Sequence, residues 1–290
     1  MKKKLLEKLK DFKLSIPLPL PGLGCGVLGM ALPRVSINLG AHASRLLKAL
    51  EYRGYDSTGA AFLGEDKTRI TLLKDVGAPS TLVKTLGIEK QSGKIFCGQV
   101  RWATFGFVNK VNAQPHEVKC KRHLFGAHNG NITNTRELKV FLTKEGHTVL
   151  SDNDGEMLVH SVEHYFDIEM TRAGNPKDHD ERKACMRRAI IRTAEQMNGS
   201  YAAVIVDPES ECSWAIKAGS SLYFGVGEVE DMPFALASSD LTAVLRFTKM
   251  LVNLREGEFV EYTSDYYQVY AMKNLKFKRL NQADEVDATG

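Results

Sequence analysis

The chain has 290 residues, 43% of them hydrophobic and 26% charged, enough to bury a sizeable core in one large layered domain. Lys2, Lys3, Lys4, Lys8, Lys10 and Lys13 against Glu7 and Asp11 place the whole formal charge of +4 within residues 1–24; the remainder is neutral and lacks the basic footprint of a nucleic-acid-binding body. No stretch approaches the ~20 apolar residues that span a bilayer, and Cys25, Cys97, Cys120, Cys185 and Cys212 show no CxxC and no Cys/His spacing of a metal site, so a protein of the reducing cytoplasm is expected, with neither disulfides nor zinc.

Residues 3–13 set Leu5, Leu6, Leu9 and Phe12 at helical spacing among lysines, and Pro17, Pro19 and Pro21 then enforce an extended linker. Residues 1–24 therefore read as a basic leader or propeptide, and 25–290 as the working domain. From Gly24 the pattern changes to short apolar runs broken by glycine. Gly26 to Leu32 reads as a buried strand, residues 40–52 as a helix with Ala43, Leu46, Leu47 and Leu50 on one face, Ser57 to Leu63 and Arg69 to Lys74 as paired strands, Thr81 to Leu86 as a short helix, and Lys94 to Arg101 as a strand. His123 to His128 is a further strand, ended by an Asn129-Gly130 turn, and Thr133 to Lys144 a helix capped by Thr133 or Asn134. Two longer helices, Glu156 to Tyr165 and Arg182 to Met197, flank a polar loop with Gly174, Asn175 and Pro176. Strands then follow at 201–206, 213–217, 222–226, 234–237, 250–254, 258–262 and 267–271. Many antiparallel strands with two blocks of helices give an α+β layered fold, because each sheet must cover one face with the other sheet and one with helices.

Several glycine-flanked segments carry the residue types that attack on a carboxamide needs. Cys25 precedes Gly26, which lets backbone approach the sulfur closely. Arg101, at a strand end beside Trp102, can grip a carboxylate through two parallel hydrogen bonds. Asn129 and Gly130 offer a side-chain amide and a backbone NH to an oxyanion, and Asp154, at a helix start, can bind an ammonium group. Taken singly, each has a plainer reading: a packed thiol, a cation-π pair, a turn and a helix cap.

Their order is more specific. Cys25-Gly26-Val27-Leu28-Gly29, then Leu50-Glu51-Tyr52-Arg53-Gly54-Tyr55-Asp56-Ser57, Arg101-Trp102-Ala103-Thr104, Asn112-Ala113-Gln114-Pro115-His116 and His128-Asn129-Gly130 together resemble the class II glutamine amidotransferases, and within them the glutaminase domains of glucosamine-6-phosphate synthases. The similarity continues through Ser151 to Glu156, Gly199-Ser200-Tyr201 and Ala237-Ser238-Ser239-Asp240, over about residues 25–265. The resemblance implies the N-terminal-nucleophile hydrolase fold, a four-layer αββα sandwich, and a reaction without cofactor or metal. In it Cys25 attacks the side-chain amide of glutamine, its own freed α-amine takes the thiol proton, and a γ-glutamyl thioester forms and is hydrolysed. Asn129 and the NH of Gly130 would hold the oxyanion, Arg101 the substrate carboxylate and Asp154 its ammonium. Trp102, Thr104, Gln114 and His116 would line the pocket, and Gly26 and Arg53 would support the nucleophile.

Gln99, Phe105 and Gln114 stand where sugar-phosphate members usually carry histidine, although the amidophosphoribosyltransferase branch shares an Asn-Ala-Gln-Pro run. Phe105 removes a polar group beside the Arg101 loop that would couple it to an acceptor domain. Cys25 must begin the working chain for its amine to serve as base, so the leader is expected to be cut after Gly24. No acceptor domain follows in the sequence, so the expected product is ammonia for a separate synthase subunit, with a homo-oligomer left open. The alternative is a silent glutamine-binding or regulatory protein with its leader intact. His42, His147, His160 and His164 read as structural or solvated: His160 and His164 share a helix face, but no third ligand accompanies them in the sequence.

Overall fold

The computed structural model describes residues 24–103, 107–273 and 284–285. The expected leader helix and linker, with Thr104 and Phe105, lie outside the described residues. The eight-stranded sheet runs, edge to edge, β14 (Asp284–Glu285), β11 (Met250–Val252), β9 (Tyr223–Val229), β10 (Met232–Ser238), β1 (Gly26–Ser36), β4 (Gly93–Arg101), β2 (Ser57–Leu63) and β3 (Ile70–Val76). The six-stranded sheet runs β13 (Tyr267–Ala271), β12 (Glu258–Tyr262), β8 (Cys212–Ala218), β7 (Gly199–Asp207), β6 (Leu124–Ile132) and β5 (His116–Val118). Paired neighbours in both sheets are antiparallel.

Alternation along the strands decides how the sheets stack. In β1, Val27 and Ala31 face the second sheet while Leu28, Met30 and Leu32 face helices; in β7, Ala202, Val204 and Val206 meet the first sheet and Ala203 and Ile205 turn to the other side. Both faces of these central strands are buried, so they read as continuous apolar runs. The outer face of the first sheet is covered by α1 (Leu39–Ala49) and α2 (Pro79–Thr85), with Leu39, Ala43, Leu46 and Leu47 of α1 pointing inward. The second is covered by α3 (Thr135–Lys144), α4 (Asp154–Arg172) and α5 (His179–Gln196), packed through Leu138, Leu158, Val162, Phe166 and Ile190. The result is the four-layer αββα sandwich that the resemblance implies, in agreement with the α+β layering of the element pattern. Among the described residues no helix is long and apolar enough to cross a membrane.

Three local expectations change. Asn129-Gly130 makes no turn: β6 continues to Ile132, with Asn129 opposite Ala202 and Gly130 opposite Tyr201. Glycine is required at 130 because φ is 131° and a Cβ there would lie 2.1 Å from Ser200 O, so the Asn-Gly signature marks a close strand approach rather than a reversal. Asn134 occupies the N-cap position of α3 but makes no side-chain cap; its amide instead bonds Gln196 O and Asn198 N. Strand β5 and the short helix α6 (Leu241–Leu245), which follows Ser238-Ser239-Asp240, are additional elements whose apolar runs are too brief to show a period.

Sheet stacking leaves no room at Gly29, where a Cβ would meet Tyr262 Oη at 2.5 Å and Val204 Cγ1 at 2.6 Å. Gly29→Ala should lower the unfolding free energy by about 1–3 kcal/mol through overpacking. Gly64→Ala, at a position with no neighbour within 4 Å of the added carbon, should stay within about 0.5 kcal/mol of wild type; equal urea midpoints for the two variants would contradict this packing.

Candidate active site

Cys25 lies immediately before β1, at the end of the inter-sheet layer. Gly26 follows as Val100's partner in β4, and a Cβ there would lie 2.6 Å from Leu50 Cδ1, so glycine lets the nucleophile segment sit against α1. The 3-10 turn Glu51–Arg53 then grips the main chain from both sides: Arg53 O accepts from Gly24 N at 3.1 Å, and Arg53 Nε donates to Cys25 O at 3.2 Å. Asp240 holds that guanidinium at 3.3 Å and accepts from Tyr52 Oη, while the Asp240 side chain also caps α6 through Ala243 N. Ser239 clamps Val27, two residues on, exchanging Ser239 N→Val27 O at 3.0 Å and Val27 N→Ser239 Oγ at 3.0 Å.

The Cys25 thiol donates to Trp102 O at 3.4 Å and shares a cleft with Arg101, Gln114, Gly130 and Asp154. Burial pushes the thiol pKa up; the negative charge of Asp154 adds to the rise and the positive charge of Arg101 opposes it. Both charges therefore act on the sulfur, and the thiol needs a base to become a nucleophile at neutral pH. Arg101 ends β4 almost fully buried, with Nη1 donating to Phe107 O at 3.1 Å. Its backbone is fixed by Asp56 N→Arg101 O at 3.0 Å, and Asp56 Oδ2 reaches round to accept from Ala103 N at 2.7 Å. Trp102 packs edge-on against Tyr55, so no Arg101–Trp102 cation-π pair is needed to explain either residue.

On the opposite wall, Gln114 Oε1 accepts from His128 N at 2.8 Å, Gln114 Nε2 donates to His128 O at 3.3 Å, and His128 Nε2 lies 3.0 Å from Asp154 Oδ2. Ile132 N also donates to Asp154 Oδ2 at 3.0 Å. Burial alone would raise the Asp154 carboxyl, but His128 and the Ile132 NH outweigh it and hold the pKa at about 2. Gly155 admits this contact: a Cβ there would lie 2.4 Å from Gln114 Oε1 and 2.6 Å from His128 Nδ1. Asn129 shares the inter-sheet face of β6 with Phe125 and Ala127 by alternation, beside Gly130, which lines the cleft. His116 sits behind the cleft, its Nε2 3.3 Å from Oδ1 of Asn153, the residue that caps α4 through Gly155 N. Burial first, then the Lys74 charge, push His116 down to about 3; it is a neutral donor that orients the cap.

The sequence of a family described as a glutamine amidotransferase domain matches residues 103–245. Glutamine–fructose-6-phosphate aminotransferase of Pyrococcus horikoshii is 35% identical over 248 residues, covering 84% of this chain and 37% of that protein; the Thermotoga maritima enzyme of the same name is 31% identical over 265 residues, covering 88% and 38%. The chain carries a class II glutamine amidotransferase domain. It spans under two fifths of the curated relatives it matches. The fold of this amidotransferase domain matches the glutamine phosphoribosylpyrophosphate amidotransferase of B. subtilis with a TM-score of 0.64 at 22% identity, over 88% of this chain and 50% of that one.

Cys25, Arg101, Trp102, Gln114, Gly130 and Asp154 thus line one cleft of the domain; Gly26, Arg53 and Asn129 adjoin it, His116 lies a layer behind, and Thr104 is outside the described residues. Sequence reasoning gave no role to Asp240, Ser239, Tyr52, His128 or Asn153. The Ser238-Ser239-Asp240 run before an apolar helix was the available signal for the first two.

The depressed Asp154 pKa is linked to stability: a carboxylate held at about 2 contributes above its unfolded value near 3.9 and loses that contribution as pH falls towards 2. Asp154→Asn should cost about 2 kcal/mol at pH 6, and the gap to wild type should shrink between about pH 4 and pH 2. Urea denaturation across that range checks it; a gap independent of pH would contradict the assignment.

Proposed function

We propose that the amidotransferase domain hydrolyses glutamine to glutamate and ammonia through a thioester on Cys25, after removal of the leader at the Gly24–Cys25 bond. The observation that carries this reading is the placement of a half-buried thiol in one cleft between a cation, Arg101, and a carboxylate, Asp154. An α-amino acid presents the complementary pair of charges, so its α-carboxylate would pair with Arg101 and its α-ammonium with Asp154, and these contacts aim the side-chain amide at the sulfur.

The raised thiol pKa then requires a nearby base. In a chain beginning at Cys25, the α-amine takes the thiol proton as sulfur adds to the amide carbon, and the oxyanion is received by the Gly130 NH and the Asn129 amide. The resulting ammonium returns the proton to the departing nitrogen, ammonia leaves, and water adds to the thioester to release glutamate and restore the thiol. In a chain that retains Gly24 the Cys25 nitrogen is an amide and has no proton-accepting capacity, so that form is expected to bind glutamine without turnover. We further propose that the ammonia is used on a separate synthase subunit.

Ammonia release from glutamine by the chain starting at Cys25 tests this directly. Cys25→Ala should abolish it by at least about 10³-fold, and equal rates in the two proteins would rule the reading out. Arg101→Met should raise KM for glutamine by roughly 10–100-fold, the loss of a charge-assisted pair, while the reaction of the thiol with iodoacetamide continues. A KM unchanged by that substitution would remove Arg101 from substrate binding.

A further inference from the structure

A second polar assembly lies on the same helix, remote from the Cys25 cleft and unused by the chemistry above. Four side chains from three separate segments converge: Cys120 before β6, His147 in the loop after α3, and His160 and Glu163 on α4. One donor atom from each lies within 4.8 Å of all the others. His147 Nδ1 and His160 Nδ1 are each 3.0 Å from Glu163 Oε2, and Glu163 and His147 are buried with their side chains fully out of solvent. The i, i+4 pair His160 and His164 lacked a third ligand in the sequence; the fold brings Cys120 and His147 to His160 and Glu163, because residues 120 and 147 return to α4 from distant positions, and leaves His164 behind His147.

Each of the four side chains also has a further polar neighbour. Glu163 Oε1 accepts from Lys121 N at 2.6 Å and Arg122 N at 3.1 Å. Cys120 Sγ accepts from Thr148 N at 3.3 Å. His147 Nε2 meets His164 Nδ1 at 3.3 Å, and His160 Nε2 lies 3.7 Å from Glu156 Oε1. Ligands whose outward atoms are held by carboxylates, imidazoles and backbone NH groups are the usual surroundings of a bound metal, since such partners fix ring orientation and carboxylate direction.

We propose that Cys120, His147, His160 and Glu163 form a binding site for a divalent zinc ion. One thiolate, one carboxylate and two neutral imidazoles are four donors of the types zinc takes in tetrahedral coordination, and their two negative charges balance the ion in a site where His147, His160 and Glu163 are buried and Cys120 reaches the surface. Binding displaces to solvent the thiol proton of Cys120 and the second ring proton that Glu156 and Glu163 hold on His160. Drawing the donors to tetrahedral spacing asks for small movements of side chains already in contact. The ion would join the β5–β6 connection, the loop after α3 and the middle of α4, and so brace the helix whose first residue is Asp154. This site is independent of the glutaminase reading, and its test needs no activity.

The experiment uses the full chain, stripped with a chelator, dialysed and loaded with Zn²⁺ or Co²⁺. The expected result is one tightly held zinc per chain by elemental analysis, and for cobalt the visible absorption of a tetrahedral ion with a thiolate charge-transfer band. Zinc at 100-fold above its Kd should raise Tm by roughly 5–10 °C. Cys120→Ser should abolish the charge-transfer band and weaken zinc binding by at least about 10-fold, whereas Cys25→Ala should leave both intact, separating this site from the other accessible thiol. His147→Gln provides a second ligand variant that keeps a hydrogen-bonding group in the cluster and should lose metal likewise. A wild-type chain that retains no zinc after dialysis, or a charge-transfer band that follows Cys25 rather than Cys120, would overturn the proposal.

Discussion

Arg53 holds the main chain on both sides of the nucleophile, accepting from Gly24 N and donating to Cys25 O, and Asp240 holds Arg53. The sulfur therefore has a fixed origin at the mouth of the inter-sheet layer, and every other site distance depends on it. The clamp works because the two sheets are packed around glycine at 29 and the helix beneath admits glycine at 26. A side chain at either point would move the strand that carries Cys25. Of the two contacts, Arg53 Nε to Cys25 O involves only residues from Cys25 onward, whereas Gly24 N to Arg53 O belongs to the chain that retains Gly24.

Helix α4 links the site to the core. Its first turn presents Asp154 to the cleft, with Asn153 as cap and His116 behind that cap. Its next turns carry Glu156, which accepts from Leu150 N and Ser151 N, and then the His160–Glu163 assembly. Its apolar positions meanwhile pack on the six-stranded sheet. Buried charges are costly unless paired. Their concentration on one helix means that the position of Asp154 rests on polar contacts running several turns away from the cleft, as well as on hydrophobic packing.

The layered fold was legible because central strands buried on two faces, such as β1 and β7, must be apolar throughout, while α1 repeats its apolar residues at helical spacing. Element ends were less so: Asn129-Gly130 reads locally as a turn, yet Ser200 approaches so closely that glycine is needed to continue the strand. The cleft residues were readable from their order along the chain, whereas Asp240 and His128 became visible only when the sheets brought them beside Arg53 and Asp154. In the Cys120–His147–His160–Glu163 cluster only His160 and Glu163 share a local spacing, since its members come from three segments that only the tertiary structure joins. Long-range convergence of this kind leaves no period or motif in the sequence.

The central claim is that freeing the Cys25 amine turns a glutamine pocket into a glutaminase. It is tested most directly by comparing glutamine turnover by the chain beginning at Met1 with turnover by the same chain beginning at Cys25, each with its terminus verified by intact mass. The account predicts that both bind glutamine and that the chain beginning at Cys25 is faster by at least about 10²-fold, the usual contribution of a positioned general base. Equal turnover by the two chains, with Met1 still present on the first, would contradict it.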